Sequence, residues 1–184
     1  MLTSTLNALS VFPLQLEMAF AAFPPAARHW SPPSWDGIPG EPFTAIEQLC
    51  HVHDTEIDSY QPRLARTLDE DRPLLPAIDS QALADARGYR HAYADAVLTE
   101  FRSARARTVQ LIAALDAAQL QRSAEIVGVG PVTLRSLVHL LCSHDQQHLA
   151  GLQWLLAQHS ARHLHLSPTH AVSNHSTVAI HARV

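Results

Sequence analysis

Hydrophobic residues recur along most of this chain at intervals of three and four positions, with polar residues between them. That spacing places the apolar side chains on one face of an α-helix. The chain has no convincing run of alternating apolar and polar residues, which would indicate a half-buried strand. Pro13 and Gly88 are the points where the first and third helices would bend or break. The pattern predicts four helices, over residues 6–22, 44–68, 80–116 and 133–158.

These helices predict an all-α fold, a four-helix bundle formed by residues 1–159. A chain of 184 residues is long enough for one domain with a substantial core. The second helix begins with a capping box, Thr44 followed three positions later by Glu47. Residues 160–184 are rich in histidine and lack a helical stripe, so we expect a disordered tail. Weak metal binding by this tail, in storage or delivery, is the alternative for it.

Composition and charge exclude several classes of function. All 13 basic residues are arginine, and the net charge of -4 leaves no basic surface for nucleic acid. No apolar segment is long enough to cross a membrane, and the N-terminus lacks the basic start of a secretory signal, so we expect a cytoplasmic protein. Cys50 and Cys142 are too few for a disulfide framework or a cysteine zinc site. The apolar first helix would allow a homodimer.

Two histidines of the fourth helix are the most informative candidates for chemistry. His144 and His148 are four residues apart, so both lie on one helical face, in line with the apolar stripe of Leu137, Leu141 and Leu152. A buried polar group needs a partner. A shared divalent cation is one possibility, and hydrogen bonds to backbone or water are the other.

The sequence around this pair resembles the zinc motif of metalloproteases but departs from it. Asp145 replaces the longer glutamate that activates water in H-E-x-x-H enzymes. Trp154 stands where the extended motif has its third histidine, and no glutamate follows Glu125. These departures argue against a protease.

A catalytic metal site of this kind needs a third protein ligand, and the second helix offers two. His51 and His53 are two residues apart, so they lie on nearly opposite faces and only one can join the pair. His53 falls on the apolar stripe with Leu49 and Tyr60, whereas His51 falls among polar residues. Periodicity alone would bury His53, so it does not decide between them.

The combined spacing of several motifs resembles the DinB-like superfamily of metal-binding four-helix bundles. The resemblance covers about residues 5–158; each piece of it alone is weak, and the fourth helix is its most specific part. Its motifs are Phe43-Thr44-x-x-Glu47-x-x-x-His51-x-x-x-x-Glu56, Phe101-x-x-x-Arg105, Gly130-Pro131-Val132-Thr133-Leu134, and His144-Asp145-x-x-His148-Leu149. In this register His51, rather than His53, matches the family's metal-binding histidine. An additional or exchanged ligand at His53 remains the alternative.

The resemblance implies one divalent transition metal, zinc or nickel with iron as a further option, held by His51, His144 and His148. Such an ion acidifies bound water and ionises a bound thiol. The resemblance further implies a thiol-dependent S-transferase or a hydrolase that acts on small-molecule electrophiles with a low-molecular-weight thiol as cosubstrate. A non-catalytic metal-binding or sensor protein is the alternative.

Asp145 and Arg105 are the candidate catalytic residues. Asp145 could orient a ligand histidine from behind, or be an exposed helix charge. Arg105 could meet an anionic substrate, or form a structural ion pair with an acidic side chain. A di-iron carboxylate bundle would need Glu-x-x-His on two helices, and Asp145-x-x-His148 is the only near match.

Overall fold

The computed structural model describes residues 2–164, and four long helical rods make up most of it. The first is α1 (Thr3–Ala21), and the second is α2 (Ala45–Asp54) continued by a π-helical turn and α3 (Gln61–Asp69). The third and fourth are α5 (Ala94–Ala113) and α6 (Leu134–Leu164). Both α1 and α2 pack against α5 and α6. The predicted four-helix bundle is confirmed, and the predicted tail from residue 165 onward lies outside the described residues.

The second rod begins where the capping box predicted. The Thr44 backbone N–H donates to Glu47 Oε2 at 2.9 Å, and the Thr44 hydroxyl donates to the same oxygen at 2.7 Å. A π-helical turn, Thr55–Tyr60, interrupts the α-helical hydrogen bonding four residues after His51. Turns of this type are rare and often lie at functional sites.

The third predicted helix is divided at Gly88, as its sequence indicated. Gly88 has φ +61° and ends α4 (Ser80–Arg87), a conformation that glycine adopts without steric cost. A 3₁₀ turn, Tyr89–His91, then leads to α5. Helix α6 ends six residues later than the sequence predicted. Pro13 lies inside α1 and does not end that helix.

A small three-stranded sheet was not predicted. Strand β1 (Leu74–Leu75) pairs parallel with β2 (Ser123–Ile126), which pairs antiparallel with β3 (Gly130–Thr133). The register places Leu75 beside Ile126, and Ile126 beside Gly130. Strands of two to four residues are too short for a period of two to be recognised, and the β1–β2 pairing joins distant parts of the chain.

A polar layer divides the core into two apolar clusters. Along α6, Leu137 and Leu141 belong to one cluster and Leu152 and Leu155 to the other. The same division recurs along the second rod and along α5. The buried polar residues between the two clusters include His51, Glu56, Arg105, Thr108, Asp145 and His148. Among residues 2–164, no helix is long and apolar enough to span a membrane.

Candidate metal centre

Three histidines from two rods converge in the polar layer. Nε2 of His144 lies 3.1 Å from Nε2 of His51 and 3.1 Å from Nε2 of His148. The possible ligand atoms of all three residues lie within 4.8 Å of one another. His51 and His148 are buried, and His144 keeps some exposure to solvent. The structure therefore brings together the three residues that the sequence motifs selected.

The three imidazoles are neutral in this environment. Burial, together with the neighbouring histidines, lowers the pKa of His144 to about 3 and that of His148 to about 2. Burial also lowers the pKa of His51, against the opposing charge of Glu41. A neutral imidazole carries one N–H and one lone pair. Nitrogen atoms that face one another at this distance suit a shared cation.

Gln48 fixes the tautomer of His148. Its Oε1 makes a short contact with His148 Nδ1, and its amide nitrogen donates to the Phe43 carbonyl oxygen at 3.4 Å, which sets the orientation of the amide. Because a carbonyl oxygen accepts, His148 Nδ1 carries the proton and Nε2 presents its lone pair to the centre of the cluster. This arrangement is typical of a metal-ligating histidine. Gln48 was not recognised as a site residue in the sequence.

Glu41 lies on the solvent side of the three histidines. Its Oε2 is 3.4 Å from His148 Nε2 and its Oε1 is 3.6 Å from His51 Nε2, while its side chain is 36% exposed. The Thr55 hydroxyl lies 3.4 Å from His51 Nε2. Glu41 precedes the second helix in a proline-rich loop, where no periodicity marks it, so sequence reasoning missed it.

His53 lies apart from the cluster. Its Nδ1 contacts Asp54 Oδ1 at 2.9 Å, and its Nε2 faces Glu100 Oε2 of α5 at 3.6 Å. The nearly opposite direction of the two histidines follows from their spacing of two residues on a helix. The contacts of His53 do not support its exchange for His51.

Asp145 and Arg105 form a buried ion-pair cluster with Glu56. Arg105 donates to Asp145 Oδ1 at 2.9 Å and to Glu56 Oε2 at 3.0 Å, and its guanidinium lies over the rings of Phe12 and Phe101. All three charged side chains are almost fully buried, so Asp145 is not an exposed helix charge. Burial raises the pKa of Asp145 to about 6, although Arg105 opposes that shift. A direct catalytic part for Asp145 or Arg105 stays a prediction, and their contacts are with each other.

The two cysteines are separate from the histidine cluster. Cys50 is buried with its Sγ 3.9 Å from the Tyr89 carbonyl oxygen, and burial raises its pKa to about 12. Burial also raises the pKa of the Cys142 thiol. Both side chains are therefore protonated thiols at neutral pH, and neither supplies a ready nucleophile.

Comparison with known proteins gives one family and one fold. The family model described as the DinB superfamily matches residues 13–152. A solved structure of YfiT from Bacillus subtilis superimposes with a TM-score of 0.76 and 19% sequence identity, over 86% of this chain and 87% of that chain. YfiT is described as a probable metal-dependent hydrolase with an unusual four-helix bundle topology. A search of curated proteins finds no match.

Proposed function

The chain belongs to the DinB superfamily, and we propose that it is a metal-dependent enzyme whose His51, His144 and His148 hold one divalent transition metal. The observation that carries this proposal is the approach of three Nε2 atoms, at 3.1 Å for two of the pairs, inside a largely buried layer. The donor set fits such an ion because each histidine turns Nε2 towards the others and the contact of His148 Nδ1 with Gln48 leaves a lone pair on its Nε2. Zinc or nickel suits three imidazoles best, and iron also accepts them.

The proposed reaction is the transfer of a low-molecular-weight thiol to a small-molecule electrophile, in the cytoplasm. When bound, a divalent metal lowers the pKa of a coordinated thiol or water towards neutrality. The thiol sulfur then forms a bond to the electrophilic carbon, the leaving group departs with its electron pair, and the thiol proton passes to solvent. Hydrolysis is the second reaction of the same site, because water can take the place of the thiol.

The chain's own residues support the reaction by position. Gln48 holds His148 in the tautomer that presents Nε2 to the centre. Asp145 follows His144 directly on α6 and is tied to Arg105 of α5. We propose that this ion pair fixes the rotation of α6 and so acts as a positioning element, without touching the substrate.

Access favours an enzyme over a purely structural metal site. His144 is partly exposed, and the Glu41 side chain is 36% exposed, so the site is reachable from solvent on that side. A non-catalytic metal-binding or sensor protein is the alternative function, and a site that never admits an external ligand would favour it.

The test uses the full chain, stripped of metal by a chelator and reloaded with zinc or nickel. We expect thiol consumption with an electrophilic aromatic halide to require metal, to persist in His53→Ala, and to fall by about 100-fold or more in His144→Ala. The His-rich tail is the same in all three proteins, so any metal that it binds cancels in the comparison. Unchanged activity in His144→Ala would contradict the site. Absence of turnover with several thiols and esters, with metal bound at the site, would favour the non-catalytic alternative.

A further inference from the structure

The carboxylate of Glu41 approaches two histidines, and the facing nitrogen of one of them, His148, has no proton to offer it. Nε2 of His148 is an acceptor, because the proton of that ring lies on Nδ1 beside Gln48. Glu41 Oε2 lies 3.4 Å from this nitrogen, so two acceptors face each other. A cation between them would turn this unfavourable approach into a favourable one.

The distances around Glu41 match those between ligands of one ion. Ligand atoms about 2.1 Å from a tetrahedral metal lie about 3.4 Å from one another. The Glu41 oxygens lie 3.4 and 3.6 Å from His148 Nε2 and His51 Nε2, and two of the histidine pairs are separated by 3.1 Å. Each oxygen of Glu41 therefore faces a different histidine at a separation typical of atoms that share one ion.

The loop that carries Glu41 is held in place on both sides. A Cβ on Gly151 would lie 3.1 Å from the Pro39 carbonyl oxygen, so the loop packs closely on α6. The Phe43 N–H donates to the Glu41 carbonyl oxygen at 2.8 Å, just before the capping box of α2. The Ser80 hydroxyl donates to Glu41 Oε1 at 3.4 Å. These contacts fix the carboxylate over the histidines.

We propose that Glu41 is a fourth protein ligand of the metal centre, placed on its solvent side where an incoming substrate displaces it. This inference rests on the three-histidine centre of the proposed function. It concerns the one carboxylate of the set, whose side chain is 36% exposed while His51 and His148 are buried. A partly exposed carboxylate on a loop can leave the metal without opening the core.

The experiment measures zinc affinity and the visible absorption of the cobalt(II)-loaded full chain. A variant with all three histidines changed to alanine provides the blank for metal bound by the tail. Glu41→Ala and Glu41→Gln should bind zinc about 10- to 100-fold more weakly, and their cobalt spectra should change in intensity and position. Glu100→Gln is the matched control, because Glu100 lies 3.6 Å from Nε2 of His53, which is outside the site. It should leave both measurements unchanged.

Chemical rescue tests whether a coordination position opens. Added acetate should restore the original cobalt spectrum in Glu41→Ala and should leave the spectrum of the unchanged protein as it is. If both Glu41 variants keep the affinity and spectrum of the unchanged protein while His144→Ala loses them, the metal centre stands and the role of Glu41 is refuted. If His144→Ala also keeps them, the proposed centre itself fails.

Discussion

The polar layer contains two clusters that share the second rod and α6 but differ in chemistry, and α5 contributes only to one of them. In the ion-pair cluster, the Arg105 guanidinium donates to both Glu56 and Asp145. In the histidine cluster, His51, His144 and His148 turn their Nε2 atoms towards one another. His144 and Asp145 are adjacent in sequence, yet each belongs to a different cluster.

The comparison shows two ways in which buried polar side chains can be compensated. In the first the partner is a charged residue of the same chain, and in the second it would be a bound ion. The ion-pair cluster contains its own cation, although one oxygen of Glu56 lacks a hydrogen-bond partner among residues 2–164. The histidine cluster consists of three neutral rings whose Nε2 atoms face one another, with no charged donor among them in the part of the chain that the structure describes. Because buried polar atoms are costly when unpaired, the difference matters: the first cluster supplies its own charge compensation, and under the proposed function a bound cation supplies it for the second.

The largest expected effect is the loss of stability when Arg105, the cation of the ion-pair cluster, is replaced. Arg105→Met leaves two buried carboxylates without compensation and should lower the free energy of unfolding by about 3–5 kcal/mol, measured with urea. Arg102→Ala is the control: this arginine lies on the same helix and pairs with Glu17 at the surface, so about 1 kcal/mol or less is expected. The folded fraction of Arg105→Met should still bind zinc, although more weakly, because the ion pair that positions α6 is lost. Abolished zinc binding by a folded Arg105→Met protein would show that the two clusters are not separate.

The second largest expected effect is a loss of stability of the metal-free protein as the pH falls. The pKa of His148 is about 2 in the fold and about 6.5 in the unfolded chain, so below pH 6.5 the unfolded chain binds more protons. Stability is therefore unaffected above that pH and falls as the solution becomes more acidic. Each histidine whose pKa is lowered to this extent should reduce the free energy of unfolding by about 2 kcal/mol between pH 7 and pH 5. Asp145, with its raised pKa of about 6, works in the opposite direction over part of this range.

A variant isolates the contribution of the histidine. His148→Leu should show a loss between pH 7 and 5 that is smaller than that of the unchanged protein by about 2 kcal/mol, measured by urea unfolding of both metal-free proteins. Equal losses in the two proteins would mean that His148 becomes protonated in the fold as readily as in solution.

The smallest of these effects concerns the orientation of a ligand. Gln48→Ala removes the acceptor that holds the Nδ1 proton of His148, and zinc affinity should fall by about 10-fold, measured by competition with a chelator. Gln61→Ala is the matched control, because this amide on the same rod donates to the Ala104 carbonyl and the Thr108 hydroxyl. A similar loss in both variants would assign the effect to general loosening of the rod.

Much of the fold could be predicted because its signals are local. The capping box at Thr44 and Glu47 marked the start of the second rod, and Gly88 marked the break before α5. The π-helical turn could not be predicted, because turns of this type are rare and no distinctive residue marks Thr55–Tyr60 in the sequence. The small sheet escaped for a different reason: Leu75 and Ile126 pair across about fifty positions of sequence.

The site was less accessible to sequence reasoning than the fold. Periodicity placed His51 on a polar face of the second helix. In the structure that polar face is buried, and Gln48, Asp54 and Thr55 lie in the core together with His51. Only the motif register selected His51 over His53. Glu41 and Gln48 join the site through loop packing and side-chain geometry, which no spacing rule contains.

The most direct test of the account is the position of anomalous scattering from zinc in crystals of the full chain. The account predicts a peak about 2 Å from Nε2 of His51, His144 and His148. A zinc-loaded crystal with no peak between these rings, or with the peak at His53 instead, would contradict it.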